Sequence, residues 1–255
     1  MSVAITVQGV EKLFGTGARP VHAIGPVDLQ ISPGRFVSFV GPSGCGKSTL
    51  LLMIAGLLAP TRGGIAIDGA LVRAPYTDLG IVFQDHALVE WRSALDNVLL
   101  QVEMRGLGRR TYEPKARELL ASVGLGDFLD RHPWELSGGM QQRTAFCRAL
   151  VHDPPLILLD EPLGALDAMT REQLRGDLER LSMREQRTMV LVTHSIEEAV
   201  QLSDEVYVIS PRPGRIVRQV NVGLERPRDL RVRQDTAFQA IVREIKEIFL
   251  GYGLL

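Results

Sequence analysis

Gly41-Pro42-Ser43-Gly44-Cys45-Gly46-Lys47-Ser48 is a complete G-x-x-x-x-G-K-S phosphate loop. Its glycines let the backbone curl until consecutive N–H groups point inward at phosphate oxygens. The helix that follows, opening with Lys47, Ser48 and Thr49, adds its positive end. Lys47 is placed to reach the β- and γ-phosphates, and the Ser48 hydroxyl to ligate Mg2+. Cys45 fills a free position of the pattern and reads as structural. Alone, the loop implies nucleotide binding and nothing narrower, because kinases, GTPases and motor proteins share it.

Three further groups could complete such chemistry. The apolar run Leu156-Ile157-Leu158-Leu159 ends in Asp160-Glu161. Asp160 would hold Mg2+ through water, and Glu161 would polarise the attacking water as general base. Any strand can end in Asp-Glu before a proline such as Pro162; the upstream phosphate loop is what gives the pair a chemical role. Ser137-Gly138-Gly139 opens a helix whose N-terminal donors form an anion site. No phosphate of its own chain is obvious there, since the first loop already claims one. His194, after Met189–Val192 and Thr193, could bridge the γ-phosphate and the base, although spacing equally allows a histidine that serves local hydrogen bonds. His22, His86, His132 and His152 take that local reading.

The elements that must carry these residues are legible as apolar runs. Phe36–Val40, Leu156–Leu159, Met189–Val192 and Val206–Ile209 suit strands buried on both faces of a parallel sheet, with helices between them. Leu174, Leu178 and Leu181 have helical spacing before the third of these strands. Ser195 and Glu198 resemble a capping box that starts the next helix. Residues 89–155 carry helical patterns and no strand until Leu156, which predicts a helical subdomain inserted in the core. Val3–Gly69 mixes short alternating runs with turns such as Ser32-Pro33-Gly34 and Asp68-Gly69, which predicts an antiparallel β layer. The expected fold is α/β: a P-loop NTPase core with a parallel sheet, an N-terminal antiparallel layer and the helical insertion. The cassette is expected over 1–225. A C-terminal extension over 226–255 would carry an amphipathic helix striped by Phe238, Ile241, Val242, Ile245, Ile248 and Phe249. That stripe reads as packing on its own domain, or on a partner or second copy.

Bulk properties exclude several classes. Hydrophobic residues make up 45% and charged residues 23% of the 255, as in ordinary globular proteins. The formal charge of −1 gives no electrostatic case for nucleic-acid binding. The local cluster Arg226, Arg228, Arg231 and Arg233 reads as a solvated surface. The N-terminus lacks the basic start and apolar run of a signal peptide, and Leu50–Ala59 is too short to span a bilayer. Two cysteines, Cys45 and Cys147, give no disulfide framework. These features predict a cytoplasmic chain.

Six motifs in the expected order, from roughly Val3 to Gly223, resemble the ATP-binding subunits of ABC transporters. Trp91-Arg92, Asp96-Asn97-Val98 and Ser210-Pro211-Arg212-Pro213-Gly214-Arg215-Ile216 resemble its importer branch for nitrate, sulfonates and taurine. The resemblance implies an ATPase whose Ser137–Gly139 turn closes over ATP held by a second copy, giving a homodimer with two shared sites. It places Asp167 at that interface, Gln84 against both Mg2+ and the water, and Phe14 on the adenine, where a tyrosine is commoner. It also implies a membrane permease docking near Asp85–Val98, with Trp91 and Arg92 as contacts. A solute-binding protein would act indirectly, and the chain would sit peripherally on the cytoplasmic face of the inner membrane. Three stretches depart from the family pattern: Met140 for glutamine, Val89-Glu90 for Leu-Pro, and a bulkier Thr144-Ala145-Phe146-Cys147. A soluble ABC ATPase acting on ribosomes or DNA is the alternative. Such proteins carry two cassettes, coiled-coil insertions or basic surfaces, and none of these is evident in the sequence.

Overall fold

Strands form where β-branched and leucine runs recur, and helices where apolar residues return every three or four positions. The computed structural model describes residues 2–15, 20–164 and 166–254, apart from the side chain of Glu185. In chain order the elements begin with β1 (Ile5–Phe14), β2 (Val21–Ile31), β3 (Phe36–Val40), α1 (Lys47–Ile54), β4 (Arg62–Ile67) and β5 (Ala70–Leu71). Then come β6 (Leu79–Val82), α2 (Ala94–Met104), α3 (Arg109–Ser122), α4 (Gly138–Leu150), β7 (Leu156–Asp160) and α5 (Ala168–Glu185). The chain closes with β8 (Thr188–Thr193), α6 (Ile196–Leu202), β9 (Glu205–Ile209), β10 (Ile216–Asn221) and α7 (Thr236–Gly251). Two compact units emerge: Met1–Thr77 with Gly176–Leu255, and Asp78–Arg175.

In the first unit, β1 runs antiparallel to both β2 and β4, and β5 continues that sheet beyond β4. This is the antiparallel layer expected from the sequence. β3 lies between β8 and β9 and is parallel to both, with Val37 opposite Val190 and Ser38 opposite Val206. All five residues of β3 and all six of β8 are buried, which explains why both read as mostly apolar runs without alternation. Ser38, the polar residue of β3, is bonded to the Ser203 hydroxyl.

The stripe of α7 packs on its own unit: Phe238, Val242, Ile245 and Phe249 join Val40, Val200, Val206, Val208 and Val220 in one core cluster. At the start of α6, the Ser195 hydroxyl accepts from the Glu198 N–H. The Glu198 carboxylate accepts from Thr193 Oγ1, and Thr193 Oγ1 in turn accepts from the Ser195 N–H.

The arginine cluster corrects one expectation. Arg231 is exposed, but Arg228 is only 4% exposed and Arg226 is largely covered. The reason lies at the C-terminal end of α6, whose last carbonyls have no partner within the helix. Arg228 Nη1 donates to the carbonyls of Val200, Gln201 and Ser203, and Arg226 Nη2 donates to that of Leu202. Cations at a helix C-terminus also complement its dipole. Glu179 holds the pair, accepting from Arg226 Nη1 at 2.6 Å and from the Arg228 N–H at 3.1 Å. Asp204 adds a second acceptor for Arg226 at 3.0 Å. Burial pulls the Arg228 guanidinium down to about 10, with the neighbouring Arg226 charge acting in the same direction. Glu179→Ala therefore leaves buried cations short of a counter-charge and costs about 2–3 kcal/mol, with Asp204 limiting the loss. A denaturant midpoint equal to wild type would show that this network contributes nothing.

In the second unit, β6 and β7 pair in parallel, Leu79 opposite Leu156. The helices α2, α3 and α4 share a separate core of Leu95, Val98, Leu99 and Val102, Ala116 and Leu120, and Cys147. Among the described residues no helix is long and apolar enough to cross a membrane.

Candidate nucleotide site

The first unit carries Phe14, the 41–49 segment and His194. β3 delivers the chain into the phosphate loop, and Gly46 stands at the cap position just before α1, its φ of 105° in the region glycine favours. A Cβ there would stand 2.4 Å from the Ile24 side chain, so the close approach of β2 requires glycine as well. No side chain caps α1 and its first turn holds no acidic residue, so the positive end of the helix is left for an anion. Lys47 is 4% exposed. Its Nζ turns back on the loop, donating to the carbonyls of Gly41 at 2.8 Å and Pro42 at 3.0 Å. No carboxylate pairs with it among the described residues. A buried ammonium compensated only by carbonyl dipoles fits an anionic ligand, because burying a charge without a counter-charge is costly. Cys45 is buried, and burial pushes its thiol up from the ordinary range. Ser43 and Gly44 are exposed, whereas Ser48 and Thr49 are half-buried.

Phe14 ends β1 half-exposed, with Lys12 Nζ 5.2 Å from the ring centroid on one face. His194 follows β8, exposed, immediately before the Ser195 cap of α6.

The second unit carries Gln84, Asp160, Glu161, Ser137–Gly139 and Asp167. Asp160 closes β7 and is buried. Glu161 follows with φ at 46°, a left-handed conformation that costs a non-glycine residue of order 1 kcal/mol and concentrates at functional sites. Its carbonyl accepts from the Gly164 N–H at 3.2 Å. Ala165 of the following turn lies outside the described residues. Gln84 is exposed just beyond β6. Within this unit Gln84 and Asp160 offer an amide and a carboxylate oxygen, the donor chemistry a hard cation such as Mg2+ takes.

Two of the sequence-predicted groups meet in this unit. Ser137 caps α4, its Oγ accepting from the Met140 N–H at 3.3 Å. Asp167 caps the start of α5, accepting from the N–H groups of Met169 at 3.1 Å and Thr170 at 3.0 Å. The hydrogen bonds from Thr170, side chain first, hold the Asp167 carboxyl below the usual range. Thr170 also abuts the Ser137–Gly139 turn, since a Cβ on Gly139 would lie 3.1 Å from its methyl group. Ser137, Gly138 and Asp167 are all exposed.

Sequence reasoning missed the groups that shape the segment after Gln84. Arg148, buried on α4, donates to the carbonyls of His86 at 2.9 Å and Ala87 at 2.7 Å, and Gln142 bonds His86 Nδ1. Burial lowers the Arg148 guanidinium. Asn97 accepts from the Val89 N–H at 2.7 Å and donates to the carbonyls of Val89, Arg92 and Ser93. These bonds leave Trp91 80% exposed at the tip, while Arg92 pairs with Glu103 at 2.6 Å. A lone arginine inside the apolar run Ala145–Leu150 was the available signal for Arg148.

The family model described as ABC transporter matches residues 24–164. An ABC transporter ATP-binding protein of Methanocaldococcus jannaschii is 44% identical over 229 residues, covering 90% of this chain and 86% of that protein. The chain belongs to the ABC transporter family. The taurine import ATP-binding protein TauB of Ruegeria pomeroyi is 44% identical to this cassette over 89% of the chain and 81% of its own length. TauB of Pseudomonas entomophila is 45% identical over 86% and 83%. Among solved structures, the dimeric bacterial ABC transporter cassette MJ0796 superposes with a TM-score of 0.79. It is 34% identical and covers 87% of this chain and 100% of that one. Its post-hydrolysis state bound to ADP and Pi gives 0.76 at 33% identity, with the same coverage.

Within the cassette, two of the three departures from the family pattern find physical reasons. Met140 is partly buried against the α2–α3–α4 core, an apolar site that a thioether fills well. Phe146 and Cys147 are buried, so the bulk of that stretch faces inward.

Proposed function

We propose that this ABC ATPase is the energy-coupling subunit of an importer for a small sulfonate of the taurine class, hydrolysing ATP to drive a membrane permease. The observation that carries the ATPase reading is the buried Lys47 ammonium of the phosphate loop, which has no carboxylate partner among the described residues and which the phosphates of a nucleotide would neutralise. The TauB relatives support import, and the family resemblance extends the solute class to other sulfonates and nitrate. The reported relatives are transport subunits, so the soluble ribosome- or DNA-acting alternative has no support from them.

In this reading Lys47 and the amides of residues 41–49 hold the phosphates, and Phe14 offers its open face to adenine. Ser48, Gln84 and Asp160 hold Mg2+, which supplies charge neutralisation at the phosphates. Glu161 accepts the proton of the attacking water, and His194 orients the terminal phosphate. Ser137, Gly138, Gly139 and Asp167 face a second copy of the chain, and the dimeric MJ0796 cassette is a precedent for that pairing. The exposed Trp91 marks the Asp85–Val98 segment as the permease dock, supported from below by Asn97 and Arg148. The chain would then lie on the cytoplasmic face of the membrane, meeting a solute-binding protein only through the permease.

The test is a pull-down of tagged Glu161→Gln chain with ATP from detergent-solubilised membranes of its own cells, read by mass spectrometry. A co-purifying multi-span permease is expected, and Trp91→Ala should reduce its recovery. Ribosomal or DNA-repair proteins without a permease would overturn the transport reading.

A further inference from the structure

The Ser210–Arg215 segment after β9 has no part in the roles assigned above, yet it closes on the phosphate loop. Arg212 donates to the Gly44 carbonyl from Nε at 3.2 Å and from Nη2 at 2.9 Å. Gly214 backs onto the next residue of the loop so closely that a Cβ would stand 2.1 Å from the Cys45 carbonyl oxygen. The segment is itself pinned. The Gly214 N–H donates to the Ala23 carbonyl at 3.0 Å, and the Gly25 N–H donates to that of Gly214 at 2.9 Å, which stitches it to β2. Across its own base, the Ser210 N–H donates to the Arg215 carbonyl at 2.9 Å and the Arg215 N–H to Ser210 Oγ at 3.1 Å. The guanidinium therefore reaches Gly44 from a closed, braced loop.

Gly44 is a point at which the phosphate loop can twist, with φ at 73° and no side chain. In a trans peptide the carbonyl of one residue and the N–H of the next point in opposite directions. Anchoring the Gly44 carbonyl therefore fixes the direction of the Cys45 N–H, which now closes on the Pro42 carbonyl at 3.4 Å. A loop already held in one peptide orientation loses less conformational freedom when it takes an anion.

We propose that Arg212 is a positioning residue for the phosphate loop, locking the Gly44–Cys45 peptide so that the loop is preorganised for a nucleotide phosphate. This rests on the nucleotide reading of residues 41–49, and the test separates the two. Arg212 is exposed, so Arg212→Ala should fold with a melting temperature close to wild type. Loss of two charge-assisted hydrogen bonds should weaken ATP binding about fivefold to tenfold while kcat at saturating ATP stays near wild type. Arg212→Lys, which keeps one donor group but not the fork, should recover part of the affinity.

Cys45 gives a readout that needs no nucleotide: the rate at which iodoacetamide alkylates it, followed by mass spectrometry of its peptide. The Arg212 charge favours the Cys45 thiolate, so removing it would by electrostatics alone slow alkylation. Faster alkylation in Arg212→Ala is expected and reports an opened loop. Unchanged ATP affinity with alkylation no faster than wild type would overturn the proposal. If the wild-type chain binds no ATP, the nucleotide reading fails, and the alkylation rates still judge the lock by themselves.

Discussion

Glu161→Gln should bind ATP at least as tightly as wild type and hydrolyse it roughly 10²–10⁴-fold more slowly, the range expected for removal of a general base. Glutamine keeps the volume and a hydrogen-bonding oxygen, so the left-handed backbone at φ 46° and the Gly164 N–H bond to the Glu161 carbonyl are undisturbed. What is lost is the negative charge and with it the ability to take a proton. Removing a negative charge from the neighbourhood of a polyphosphate also lessens repulsion, which is why affinity does not fall. If hydrolysis reopens a closed dimer, the variant with ATP accumulates as that dimer. Single-turnover phosphate release measures the chemistry, and light scattering on a sizing column measures the association. Wild-type turnover in Glu161→Gln would remove Glu161 from the role of base. A slow variant that stays monomeric with ATP would instead count against the shared site built on Ser137–Gly139 and Asp167.

What the sequence made legible follows from which interactions are local. The phosphate-loop pattern is recognisable in sequence because backbone amides that would hold a phosphate dictate glycines at fixed spacing, and the structure places Gly46 at φ 105° just before α1. β3, β7 and β8 could be read because burial on both faces leaves no polar alternation to confuse the signal. The apolar stripe of α7 could be read as a stripe, but not its destination, since periodicity says that a face is covered and not by what. Arg226 and Arg228 were misplaced on the surface for the same reason. Their partners are Glu179 and the end of α6, 24 to 49 residues away, and a run of charges carries no record of such distances. Arg148, Asn97 and Arg212 act on backbone carbonyls. A carbonyl belongs to every residue, so no residue type in the sequence marks the acceptor. The strain at Glu161 is likewise a backbone property that no side chain spells out.

Lys47→Ala should abolish ATP binding at concentrations that saturate wild type, a loss of about 100-fold or more, as expected when a charge-assisted contact to phosphate is removed. Its effect without ligand should run the other way. The Lys47 ammonium is buried, and among the described residues it donates to the carbonyls of Gly41 and Pro42 with no carboxylate partner. A desolvated charge so poorly compensated destabilises the fold, as functional groups poised for a ligand commonly do. Lys47→Met fills nearly the same volume without the charge, and should leave the ligand-free chain as stable as wild type or about 1 kcal/mol more stable. Ligand that binds only the folded state stabilises wild type by about 2.7 kcal/mol at a hundredfold excess over Kd, and neither variant should gain that increment. Thermal melts of the three chains with and without ATP and Mg2+ separate the two effects. An undiminished ATP-induced shift in Lys47→Ala would show that the phosphate does not rest on Lys47. A strongly destabilised Lys47→Met would show instead that the ammonium serves the loop's own structure, and that its burial does not mark an anion site.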